Sequence, residues 1–267
     1  MHHPAGWYPD PWIEGGLRYW DGSGWTASAA AKVKPPKPPY PTLPIMVALG
    51  ALVVLTASLV LSKFVLDLLV DERWPIAVYI VISASIGYLP SLAFGWWASR
   101  RWGRASLRSD SGLFFRKADV GWGPVTWLSC VAVQVAIAAL VFSFEVPFTG
   151  NTEGIGDLAD DRGYVITILV TAVIAAPFVE EIVFRGLVLR GLLSRMGPIP
   201  AIAIQGVLFG VAHVDPVRGE GNLGLAMILS GVGLVLGGSA YLFRRLGPTI
   251  VSHMITNTVA MTVALLS

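Results

Sequence analysis

From Pro44 onward the chain alternates long apolar runs with short polar loops. A run of about 20 apolar residues crosses the hydrocarbon core of a bilayer. Seven such stretches are read: Ile45–Val70, Pro75–Ser99, Trp122–Phe148, Tyr164–Val179 continuing as a helix to about Ser194, Ile199–Val214, Leu223–Phe243 and Pro248–Leu266. The pattern predicts an all-α fold, a polytopic membrane helical bundle of about seven transmembrane helices. The fifth stretch is the shortest of the seven.

Before Pro44 the pattern changes. Residues 6–26 read GWYPDPWIEGGLRYWDGSGWT, with Trp7, Trp12, Trp20 and Trp25 among Pro9, Pro11, Gly15, Gly16, Gly22 and Gly24. The prolines and glycines punctuate turns. Leu17-Arg18-Tyr19-Trp20 ahead of Asp21-Gly22 reads as one arm of a β-hairpin. So short a unit has little core and depends on aromatic stacking. It resembles a short tryptophan-rich module of unknown function found beside membrane segments in bacterial proteins. A lysine- and proline-rich stretch then predicts a stiff, extended linker whose basic face suits anionic headgroups. The expected organisation is a small Trp-rich β-type module at 1–30, a linker at 31–44, two N-terminal transmembrane helices and a basic loop at 45–121, and the core at 122–267.

Loop charge sets an expected topology. Lys32, Lys34 and Lys37 precede the first stretch, and Arg100, Arg101, Arg104, Arg108, Arg116 and Lys117 follow the second. Arg190 and Arg195 follow the fourth, and Arg244 and Arg245 the sixth. Between them lie Asp71-Glu72-Arg73, the loop with Glu153, Asp157, Asp160, Asp161 and Arg162, and the mixed Asp215, Arg218 and Glu220. Basic loops alternate with acidic or neutral ones, as cytoplasmic and outer loops do. The N-terminus is expected in the cytoplasm and the C-terminus outside, in a bacterial cytoplasmic membrane.

Composition agrees: 54% of residues are hydrophobic and 13% charged, against about 25% charged in soluble chains. The net charge of +2 gives no reason to expect a nucleic-acid partner, because topology accounts for the basic residues. Cys130 is the single cysteine, so no intramolecular disulfide and no cysteine metal site can form. The first forty residues lack the apolar core of a cleavable signal peptide.

Candidate chemistry sits inside the apolar stretches, where a titratable side chain is costly unless the bundle repays it. The fourth stretch runs into Pro177-Phe178-Val179-Glu180-Glu181-Ile182-Val183-Phe184-Arg185. Residues four apart share a helix face, so Glu181 and Arg185 can pair while Glu180, turned about 100° away, stays free. The bland account is an ion pair at a helix end. The fifth stretch ends at Phe209-Gly210-Val211-Ala212-His213, and a lone histidine there also suits a headgroup contact. Gly206 and Gly210 leave a small face for close helix packing. His253 and Asn257 lie one turn apart in the last stretch and need a polar partner, which an interhelical hydrogen bond alone would supply. Together, a carboxylate and two imidazoles make the side-chain set of a hydrolase that activates water.

Glu180-Glu181-x-x-x-Arg185, Phe209-x-x-x-His213 and His253-x-x-x-Asn257, in this order and at these separations, resemble the CAAX protease and bacteriocin-processing (Abi) family of intramembrane peptidases. The resemblance covers roughly residues 116–267. It implies a helical core with a polar cavity, open to the cytoplasm and laterally to lipid, and a peptide or protein substrate met in the lipid. It implies Glu180 as general base on a water, assisted by His213, with His253 and Asn257 stabilising the oxyanion. Glu181, Arg185 and Phe209 would shape the site. Glu180, His213 and His253 could alternatively hold zinc as three protein ligands, although no His-Glu-x-x-His helix is present; a metal-free glutamate mechanism stands equally open. Two other classes remain at this stage. One is a non-enzymatic membrane self-immunity or scaffold protein of the same fold. The other is a proton-coupled transporter, which would more naturally show repeated half-domains. On depth alone, counting from Ile199 puts His213 nearer the outer face than Glu180.

Overall fold

The computed structural model describes residues 3–13, 16–30, 42–69, 73–214 and 222–266. The linker before Thr42, the acidic tip of the first loop and the mixed loop at 215–220 lie outside the described residues. The chain divides into two units, residues 1–40 and 41–267.

The first unit is a three-stranded antiparallel sheet of β1 (Gly6–Pro9), β2 (Leu17–Trp20) and β3 (Trp25–Ala30) in that order. The expected hairpin arm is the central strand. Its turn is fixed by Asp21, whose Oδ1 accepts from the backbone N–H groups of Ser23 and Gly24, with Gly22 in the left-handed region that suits glycine. Asp10 is buried at the other end. It accepts from the N–H groups of Trp12 and Ile13 and pairs with Arg18 at 3.0 Å. Burial acts to raise its pKa, but those hydrogen bonds and the Arg18 charge together hold it below the ordinary value.

The second unit is helical. α1 (Ile45–Leu69), α2 (Ile76–Trp102), α4 (Asp119–Ser143), the segment Arg162–Leu192, α9 (Asn222–Phe243) and α10 (Gly247–Leu266) are each long and apolar enough to cross a membrane. The seventh apolar segment, α8 (Pro198–Val211), has 14 residues and is about 21 Å long at 1.5 Å per residue. That is shorter than the expected stretch of 199–214 and short of a full bilayer core. Six full-length helices and one short one therefore stand where seven crossings were expected. A short α3 (Leu107–Ser111) forms part of the basic loop. Ser106 caps it by accepting from the N–H of Ser109, and Gly112 ends it at φ 77°.

Local chemistry sets the ends. Asp161 starts the fourth apolar helix by accepting from the N–H groups of Gly163 and Tyr164. Pro198 begins α8, and Pro248 lies in the first turn of α10, where the missing N–H costs nothing. Arg245, ahead of α10, pairs with Asp119 at the start of α4, tying two helix ends together.

The segment Arg162–Leu192 is the axis of the unit. It runs as α5 (Arg162–Leu169), α6 (Ala176–Glu181) and α7 (Leu189–Leu192), joined by π-helical turns at Val170–Ala175 and Ile182–Val188. Every residue from Glu181 to Leu192 is buried, and Val179, Ile182, Val183, Phe184, Leu187, Val188 and Leu189 form the middle of the hydrophobic core. A helix apolar all round is a central one. α8 and α9 pack backbone to backbone at Gly206 and Gly233, where a Cβ on either would collide with the other helix. This is the close approach that small residues permit between membrane helices.

Candidate active site

The two π-helical turns bracket the acidic pair, and Pro177 explains how the first one persists. The N–H of Ala176 bonds the carbonyl of Thr171, five residues back, instead of that of Ala172. The next N–H in line for Ala172 would be that of residue 177, and proline has none. The carbonyl of Ala172 is thus left over, and Asn257 Nδ2 of α10 donates to it at 2.7 Å. One polar side chain thereby repairs a defect that would be costly in hydrocarbon. Single-turn π insertions often sit at functional sites.

The bulged helix presents Glu180 and Glu181 on different sides, as their spacing predicts. Glu181 is fully buried and takes Arg185 Nη1 at 2.8 Å. Its Oε1 also lies 3.1 Å from His253 Nδ1. Glu180 is partly exposed, and its Oε2 lies 3.6 Å from His213 Nε2 and 3.8 Å from His253 Nε2. The depth mismatch disappears because α8 is short: His213 sits in the turn just after its end and comes level with Glu180. Phe209 packs against both imidazoles, at 4.7 Å from the His213 ring and 5.8 Å from the His253 ring. The Arg185 guanidinium lies over the Phe209 ring, 4.2 Å from its centroid. All seven residues singled out in the sequence are therefore brought into one neighbourhood.

The hydrogen bonds fix the imidazole tautomers. His213 Nδ1 is 2.7 Å from the carbonyl of Phe209, which can only accept, so Nδ1 carries the proton. His253 Nδ1 faces a carboxylate and is likewise the donor. When neutral, both rings turn an Nε2 lone pair toward Glu180. Glu180 Oε2 itself is buried with no hydrogen-bond partner. Three acceptors thus converge, and only a donor or a cation between them satisfies all three. The residues that could hold a metal are these three, but among the described residues no group of three or more His, Cys, Asp or Glu closes tightly enough to hold a metal ion.

A cavity of about 440 Å³ runs past this cluster and is lined by Glu180, His213, His253, Asn257, Thr171 and Gln134 among others. A second, more apolar cavity shares Glu180 and His213 and continues between Leu55, Leu59 and Val183. Tyr88 of α2 lines both, and also a groove against Ile168 and Thr171 on the outside of the bundle. Sequence reasoning missed Tyr88. A tyrosine in an apolar run carries no spacing signal, and only the packing of α2 against the bulged helix brings it to Glu180.

Residues 162–259 match the family model described as type II CAAX prenyl endopeptidase Rce1-like. Residues 5–39 match a model described as a protein of unknown function, DUF2510. No curated protein and no solved structure matches the chain. The match to the endopeptidase model spans all seven motif residues, and the chemistry of that family is proteolysis. Over residues 162–259 the membrane core is thus similar to the CAAX-type intramembrane peptidases.

Proposed function

We propose that the cluster hydrolyses a peptide bond of a membrane-associated peptide or protein, with Glu180 as general base. The observation that carries this reading is the convergence of Glu180 Oε2 and the two Nε2 atoms on one point. A water held there donates one proton to Glu180 and the other to His213. As the water oxygen attacks the scissile carbonyl, Glu180 takes the proton and later delivers it to the leaving amine. His213 keeps the attacking water oriented, its ring fixed by the Phe209 carbonyl.

The oxyanion falls to His253 and Asn257. Asn257 spends one amide N–H on Ala172 and keeps the other for the substrate oxygen. The ring of His253 is held toward the oxyanion by its Nδ1–H bond to Glu181, which also pairs with Arg185. Donors fixed in a low-dielectric cavity stabilise developing charge strongly, with losses of about 10²–10³-fold when one is removed. A metal reading keeps one supporting observation: metal-bound histidines also donate their far N–H to a carbonyl or carboxylate. Glu180 would then be a ligand and no longer the free base. No step here runs through a metal.

The test is turnover of a fluorogenic membrane-peptide library by the detergent-purified chain. Glu180→Gln is expected to lose about 10²–10⁴-fold, and His253→Ala about 10²–10³-fold. Turnover should survive chelator. Loss with chelator and recovery with zinc would replace the water-base reading by the metal one. A well-folded wild type without turnover on any peptide would favour the immunity or scaffold reading.

A further inference from the structure

The N-terminal sheet carries an aromatic groove that the membrane chemistry does not use. Tyr8, Trp20 and Trp25 occupy one face, because Gly6 pairs with Trp20, Tyr8 with Arg18, and Trp20 with Trp25 across the strands. Their rings stand edge to face, Trp20 and Trp25 at 5.3 Å and Tyr8 and Trp25 at 6.3 Å. Between them and Pro9 and His3 lies a concavity of about 350 Å³. Trp12, 67% exposed, stands beside Trp25 at 6.3 Å. An aromatic groove on a small antiparallel sheet suits a proline-rich strand, whose extended helix is pre-formed and loses little entropy on docking.

The chain supplies such a strand immediately downstream. Residues 35–41 read PPKPPYP. The matched unit of unknown function does not stop with β3 at Ala30 but runs to residue 39, so its boundary encloses most of this segment. Charge is complementary: residues 3–30 hold Asp10, Glu14 and Asp21 against Arg18, a net −2, and Lys32, Lys34 and Lys37 follow. Reach is sufficient. β3 carries the chain about 17 Å from Trp25, and the four residues 31–34 can return it by about 14 Å.

We propose that this groove is the docking site of the chain's own proline segment, residues 35–41, bound in cis. Tethering raises the local concentration of the segment to the millimolar range, so weak stacking contacts are enough.

The test uses the full chain labelled with 5-fluorotryptophan, in an uncharged detergent, read by ¹⁹F NMR. Trp20 and Trp25 resonances are assigned by Trp→Phe substitution. Replacing Pro35, Pro36, Pro38, Pro39 and Pro41 by Ser alters no strand. It should shift the Trp20 and Trp25 resonances and leave Trp96 and Trp97 of α2 in place. A synthetic peptide of residues 31–44 should return the shifted resonances to their wild-type positions, and the same peptide with its prolines replaced by Ser should not. Wild type should bind the added peptide at least about tenfold more weakly than the Ser variant, because its own segment competes. Unmoved resonances, or equal binding by the two chains, would overturn the proposal. A wild-type spectrum that changes on dilution would do the same and assign the groove to a second copy. A segment that responds only to anionic vesicles, without moving Trp20 or Trp25, would assign it to the lipid surface.

Discussion

Three of the long apolar helices contain an internal proline, Pro90 in α2, Pro124 in α4 and Pro177 in the Arg162–Leu192 segment, and the first and last answer it differently. α2 and the Arg162–Leu192 segment have similar mean hydropathy, 1.8 and 2.0. α2 stays α-helical through Pro90, one backbone bond short, and buries mainly small residues, Gly87, Ser91, Gly95, Ala98 and Ser99. The segment around Pro177 instead breaks into π-helical turns on both sides of Glu180 and Glu181. Proline alone therefore does not set the backbone. The difference is a partner: Asn257 reaches the carbonyl that Pro177 leaves over, and the bulge is kept where charged groups must be aimed.

Substitutions can break this contrast, from the largest effect down. Arg185→Leu leaves Glu181 buried without its guanidinium partner. It should cost about 3–5 kcal/mol of stability, read as the unfolding midpoint in mixed detergent. An equal cost from Leu89→Ala, on the lipid side of α2, would erase the distinction between the two helices. Pro177→Ala supplies the missing N–H and lets the turn relax toward α-helix. Glu180 is then re-aimed, and turnover should fall about 10–100-fold with the chain still folded.

Asn257→Ala should destabilise by about 1 kcal/mol in the wild-type background. In the Pro177→Ala background that cost should vanish, because the Ala172 carbonyl no longer needs a side chain. Additive losses would show that Asn257 does not hold the bulge. Pro90→Ala should change stability by less than about 1 kcal/mol and leave turnover alone, since neighbours already accommodate this proline.

The smallest effect compares an ion pair in water with the one in hydrocarbon. The folded module holds Asp10 below its ordinary pKa, so this pair contributes stability above the unfolded value. The contribution is lost as pH falls through the folded value. Trp25 fluorine resonances should thus report acid loosening of the module, and Asp10→Asn should weaken that pH dependence.

Much of this was legible in the sequence because it rests on periodicity. The helix positions, the Glu181–Arg185 pair and the central strand Leu17–Trp20 follow from spacing and turn residues. Other features carry no such signal. The first π-helical turn depends on a hydrogen bond from a helix 85 residues away. The depth of His213 depends on where α8 stops, three residues before the expected end. Tyr88 reaches Glu180 only through the packing of α2, and hydropathy cannot separate α2 from the more enclosed α9, at 1.8 and 1.9. The glycines of α9 mark its place better than its apolarity does.

The shortness of α8 reaches beyond the site. Ile199, Val207 and Val211 on its outer side are exposed, so lipid must cover a helix some 9 Å shorter than a bilayer core of about 30 Å. Acyl chains accommodate such a mismatch by local thinning. Thinning would draw the headgroup layer toward the turn that carries His213, and on the proposed mechanism that brings water to the place where the reaction would consume it. On that reading the thickness of the surrounding bilayer sets the supply of a reactant, and thinner membranes should support faster turnover than thick ones.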